Sequence, residues 1–144
     1  MTGDPTIEFF VAGPAVGKGR PRVGRTFGGH VSLRTPEKTV SYENLVGFTA
    51  AQAMAGRPLL ECAVMVELVI DCGVPASWSR PKQQRALSGV VHPTVKPDVD
   101  NVEKAIFDAL NGVVWKDDVQ VIGVIKAKKY ADVPGVRVRV WVAD

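Results

Sequence analysis

The sequence predicts an α+β domain, a mixed β-sheet packed with helices. Three observations carry this. Residues 61–72 alternate, with Cys62, Val64, Val66, Leu68, Ile70 and Cys72 on one face and Glu61, Glu67 and Asp71 on the other. That period of two marks a half-buried strand. Residues 136–142 repeat it, with valine at every second position. The turn ADVPG, residues 131–135, joins the last two predicted strands into an expected closing hairpin, while helical segments lie between the earlier strands.

The elements follow in chain order. Residues 7–12, IEFFVA, read as a first strand. Residues 15–30 are rich in glycine and arginine and are expected to form a basic loop that is flexible or orders on binding. Residues 31–34 read as a short strand. Thr35 as N-cap, Pro36 at the first helical position and the acid Glu37 start a helix that runs to about residue 55, where Gly56 stops it. A short helix over 81–87 is capped by Ser79. A further helix spans 101–110, with Asp100 at its cap position and Asn111-Gly112 at its end. Strands are expected over 120–130 and 136–142.

Composition bounds the function. A chain of 144 residues suits a single domain over 1–144. No basic and apolar leader is expected, and no apolar run approaches the ~20 residues that span a bilayer. Cys62 and Cys72 would stand about 33 Å apart along a strand, so no bridge is expected between them. That fits a reducing compartment. His30 and His92 have no ligand spacing, so a zinc site is not expected.

The net charge is only +3, but it is unevenly spread. One basic zone holds Lys18, Arg20, Arg22, Arg25, Arg34 and Lys38; a second holds Lys126, Lys128, Lys129, Arg137 and Arg139. Four carboxylates, Asp98, Asp100, Asp117 and Asp118, lie between them in sequence. Basic flanks around an acidic centre suit a polyanionic substrate reached through a metal. Lys18, Arg20 and Arg22 sit in a loop that can close on a phosphate backbone.

If Asp98 to Asp100 is extended, both carboxylates point to one side, about 6.6 Å apart at their Cα atoms. They could then converge on a hard divalent cation such as Mg²⁺. Lys104, four residues after Asp100, would share its helix face and could contact a phosphate. A third acid must come from Asp117 or Asp118, and strand parity does not choose between them. An EF-hand is disfavoured, because Val102 and Glu103 stand where a ligand and a glycine belong.

These residues resemble the RusA family of Holliday junction resolvases. The likeness lies in Lys96-Pro97-Asp98-Val99-Asp100-Asn101, Lys104, Asp108-Ala109-Leu110-Asn111-Gly112 and Trp115-Lys116-Asp117-Asp118-Val119-Gln120-Val121. Nearer the N-terminus it continues in Gly13-Pro14, Lys18, Arg20-Pro21-Arg22 and Thr35-Pro36-Glu37-Lys38-Thr39. The resemblance implies a RusA-like fold and a homodimeric, Mg²⁺-dependent endodeoxyribonuclease, with Mn²⁺ able to substitute, that cuts four-way DNA junctions symmetrically in recombination and repair. It implies a cytoplasmic protein of a bacterium or phage-infected host. It places catalytic and metal-binding roles on Asp98, Asp100 and Asp118, a catalytic and DNA-contacting role on Lys104, and leaves Asp117 outside the catalytic set. A rival reading is a junction-binding protein of the same fold without catalysis; another is a nuclease for branched or flap DNA generally.

Overall fold

The computed structural model describes residues 3–19, 22–25, 29, 31–34 and 36–143, with 22–25 and 31–34 described by backbone alone. The expected cap Thr35, together with Arg20 and His30, lies outside the described residues.

The architecture is α+β. The elements run β1 (Ile7–Ala12), β2 (Arg22–Arg25), β3 (Val31–Arg34), α1 (Glu37–Met54), β4 (Val64–Gly73), α2 (Arg80–Leu87), α3 (Val99–Leu110), a 3₁₀ turn (Asp118–Gln120), β5 (Val121–Ala131) and β6 (Gly135–Val142). The main sheet has the order β1-β6-β4-β5, and β2 and β3 form a separate antiparallel pair. β6 pairs antiparallel with both β1 and β4, whereas β4 and β5 are parallel. A parallel pair needs a crossover, and α2 with α3 supplies it.

Each element follows from local pattern. On β4 the alternation buries Val64, Val66, Leu68 and Ile70, and on β6 it buries Val136, Val138 and Val140. Both sets face the layer formed by α1 and α3. α1 contributes Tyr42, Val46, Ala50 and Met54, and α3 contributes Val102, Ala105, Ile106, Phe107 and Leu110, at the three- and four-residue spacings of one helical stripe. α2 starts at Ser79, whose hydroxyl accepts from the backbone N–H of Lys82.

Several expectations change. The last two strands are not a hairpin, because β4 lies between β5 and β6. β6 instead fills the slot between β1 and β4, where Val136, Val138 and Val140 are fully buried. The loop expected over 15–30 contains β2, paired with β3. Pro36, not the first helical residue, holds the cap position of α1, and Ala55 closes that helix in the left-handed region before Gly56. Cys62 lies before β4 and Cys72 within it; both are free.

Candidate functional site

α3 organises Asp98, Asp100, Lys104 and Asp118, and its beginning differs from the sequence expectation. The N-cap is Asp98, not Asp100. Asp98 has extended backbone (φ −73°, ψ 134°), and its Oδ1 accepts the N–H groups of Asp100 at 2.8 Å and Asn101 at 3.2 Å. Helical geometry therefore already holds at Val99 and Asp100. The extended Asp98–Asp100 arrangement, with both carboxylates to one side, does not form. Residues two apart at a helix start do not share a face. Asp98 lines a groove together with Asn101, while Asp100 turns toward β5.

There Lys126 meets it. The Lys126 ammonium stands 2.5 Å from Asp100 Oδ1 and 2.5 Å from Glu103 Oε2. Hydrogen bonds to Asp100 and then Glu103 raise the Lys126 pKa above its usual value. The Asp100 side chain remains 80% exposed, so this clamp is open to competition from solvent ions. Lys128, two residues along the same face of β5, donates to the carbonyls of Val95 at 2.7 Å and Pro97 at 3.1 Å. It fixes the segment that leads into Asp98.

Midway along α3, Lys104 pairs with Asp108 at 3.0 Å rather than with Asp100. Asp108 also meets Lys18 at 3.1 Å, and Lys18 meets Glu43 of α1 at 2.6 Å. Burial works against the charged form of Lys18, but its bonds to Glu43 and Asp108 outweigh that and raise its pKa. Burial likewise works against the Asp108 anion, and Lys104 and Lys18 together still lower its pKa. The Lys104 pKa is raised, chiefly by its bond to Asp108, with the charge of Asp118 adding to it. Lys18 thus cross-links α1 and α3, while Lys104 keeps a side chain 60% exposed.

The C-terminal end of α3 is a closed hydrogen-bond system. Trp115 is fully buried, lies edge-on to Phe107 and donates to Asn111 Oδ1 at 2.7 Å. The Asn111 amide in turn donates to Asp118 Oδ2 at 3.4 Å. Asp117 caps the 3₁₀ turn through the N–H of Val119. Gln120 completes a capping box: its Oε1 accepts from the N–H groups of Lys116 at 2.9 Å and Asp117 at 3.0 Å. Its amide donates to the carbonyls of Leu60 at 2.8 Å and Cys62 at 2.9 Å. This end of the site is therefore set by structure.

The candidate residues are not gathered at one point. Asp98 begins α3 and Asp118 is bonded to its last turn. Twelve helical residues separate the two ends, a rise of about 18 Å. Among the described residues, no three His, Cys, Asp or Glu side chains stand close enough to hold a metal ion. Carboxylate oxygens suit Mg²⁺ or Mn²⁺ chemically, and Asp98, Asp100 and Asp118 would be the residues to hold it; here Asp98 caps α3, Asp100 pairs with Lys126 and Asp118 accepts from Asn111. Arg20 lies outside the described residues, as does the side chain of Arg22.

The sequence does not reveal the roles of Lys126, Glu103 and Gln120 at the site. Lys126 reaches Asp100 across 26 positions, a distance with no local signal. Gln120 did have one, since Asp117-x-x-Gln120 is the spacing of a capping box.

The family model described as endodeoxyribonuclease RusA matches residues 12–141, nearly the whole chain. The chain is also 36% identical over 138 residues to "Uncharacterized protein YqaN" of Bacillus subtilis (strain 168), covering 93% of this chain and 94% of that protein.

Proposed function

The chain belongs to the endodeoxyribonuclease RusA family, and from that premise we propose that it is a metal-dependent, structure-selective endonuclease acting on four-way DNA junctions. The observation that carries this is the family match across residues 12–141, which includes both acidic segments. The proposed protein is a homodimer in the cytoplasm of a bacterium or phage-infected host. Two sites related by a two-fold axis suit paired cuts in a symmetric junction. Among the described residues, no helix is long and apolar enough to cross a membrane.

Asp98, Asp100 and Asp118 are the proposed ligands of Mg²⁺, or of Mn²⁺ in its place. In this structure Asp100 pairs with Lys126 and Asp118 accepts from Asn111, so a bound ion would compete with both contacts. Lys104 is the proposed phosphate contact beside them; it pairs with Asp108, but its side chain is 60% exposed. Arg20 and Arg22 are proposed DNA contacts. Lys18, expected to be one, already has its ammonium between Glu43 and Asp108.

A second reading has one observation in its favour. The carboxylates are dispersed, as they would be in a junction-binding protein of the same fold that does not cut. One experiment separates the readings. A labelled four-way junction, a flap and a plain duplex are each incubated with the protein in Mg²⁺ and in EDTA. The endonuclease reading expects paired nicks in the junction with Mg²⁺, none in EDTA, and an intact duplex. Equal cutting of flap and junction broadens the substrate to branched DNA. Gel retardation of the junction with no product at any protein concentration leaves only the binding reading.

A further inference from the structure

Where DNA would lie against this protomer is a question the ion pairs help to answer. Several of the basic residues near the acidic segment are already engaged. Lys18, Lys126 and Lys129 already face carboxylates, and so do Arg137 and Arg139. Lys38 and Lys96 do not: both are exposed, and neither forms an ion pair with a described residue. These two lysines line the same groove.

The groove has a volume of about 840 Å³ and lies between the start of α1, the segment 14–19 and the start of α3. Its size is at the upper end of the roughly 300–1,000 Å³ range of ligand clefts. Its lining carries Lys18, Lys38 and Lys96 but one carboxylate, Asp98. Charge complementarity therefore favours a polyanion, and Asp98 is a member of the proposed catalytic set.

Its wall is fixed rather than loose. The Lys18 N–H donates to the Asn101 carbonyl at 2.8 Å, and the Gly19 N–H donates to Thr39 Oγ1 at 3.1 Å. Glycine is needed for that close approach. A Cβ at Gly19 would stand 2.7 Å from Pro36 Cγ, and one at Gly17 would stand 3.0 Å from Asn101 Cβ. Within the loop expected over 15–30, Lys18 and Gly19 are bonded to both helix starts. A preformed groove binds without first having to order its wall.

We propose that this groove carries one strand of the DNA backbone past Asp98, with Lys38 and Lys96 as its phosphate contacts. This rests on the endonuclease reading and adds to it the path of the substrate. Lys18 acts there through its backbone N–H and its ion pairs, shaping the wall.

The test is binding of a fluorescent four-way junction in EDTA, titrated from low to moderate salt, by wild type, Lys38→Ala, Lys96→Ala, the double variant and Lys82→Ala. Lys82 sits over the Trp78 ring on α2, away from the groove. Each groove substitution is expected to weaken binding about three- to tenfold and to reduce the slope of log affinity against log salt by about one. The double variant should lose about two, and Lys82→Ala should keep the wild-type slope. Thermal melts of all variants establish that they fold alike. A double variant that melts as wild type and keeps its affinity and slope overturns the groove. If wild type binds but never cuts, and the groove variants still lose slope, the groove stands and the endonuclease reading falls. Absence of DNA binding by wild type overturns both.

Discussion

At the C-terminal end of α3, the side chains of Asn111, Trp115, Asp117, Asp118 and Gln120 bond to one another or to nearby backbone. At the N-terminal end, Asp98 and Asp100 are exposed, and the groove beside them holds two lysines without ion pairs among the described residues. Carboxylates appear at both ends, yet at one end the side chains bond among themselves and to nearby backbone, while at the other Asp98 and Asp100 remain largely exposed beside their helix N–H and Lys126 partners. The long acidic segment thus contains two kinds of information. Residues 111–120 hold a loop in place, and with it the proposed ligand Asp118. Residues 96–104 offer charges to a partner.

Substitutions can sharpen or break that contrast. The largest effect is expected at Trp115→Ala, which empties a buried aromatic site and frees Asn111; about 3–5 kcal/mol of stability should be lost in urea melts. Gln120→Ala removes the side chain that serves four backbone groups and should cost about 2 kcal/mol. At the other end effects on stability should be smaller. Asp98→Ala removes a helix cap and should cost about 1 kcal/mol, whereas Asp98→Asn can still cap and should stay within a few tenths. Lys126→Ala opens an exposed clamp and should change stability by no more than about 0.5 kcal/mol. Should Lys126→Ala destabilise as much as Gln120→Ala, the contrast between the two ends is wrong.

The ion pairs between those ends predict a pH dependence. The Asp108 pKa is lowered from 3.8 in the folded protein, so its contribution is full above that value and is lost as pH falls through the lowered one. The Lys18 pKa is raised from 10.5, so its contribution is full below that value and is lost as pH rises through the raised one. Urea midpoints should therefore fall on acidification below about pH 4, and Asp108→Asn should flatten that fall. An unchanged acid limb in Asp108→Asn would show that the Lys18–Asp108–Lys104 chain contributes little.

Much of the fold could be read from the sequence because its cues are local. The valine alternation of β6, the alternation of β4 and the Ser79 cap each depend on residues within a few positions. Sheet order does not. The turn before β6 looked like a hairpin, since consecutive strands are neighbours about two-thirds of the time. Here β6 inserts between β1 and β4, a choice made by packing across more than sixty residues of chain. The candidate site shows the same limit. Asp98 and Asp100 both have the chemistry of a cap, and a shift of two residues decides which carboxylate faces the groove and which faces Lys126. That partner lies on a strand whose placement the sequence did not give away.

The most direct test of the account compares wild type with Asp98→Asn on one four-way junction in Mg²⁺, with binding and melting measured on the same samples. Asp98→Asn is expected to melt within a few tenths of a kcal/mol of wild type and still to bind the junction. Its product formation should fall by at least about a hundredfold. Cutting by Asp98→Asn at the wild-type rate would contradict the assignment of the chemistry to the N-terminal end of α3.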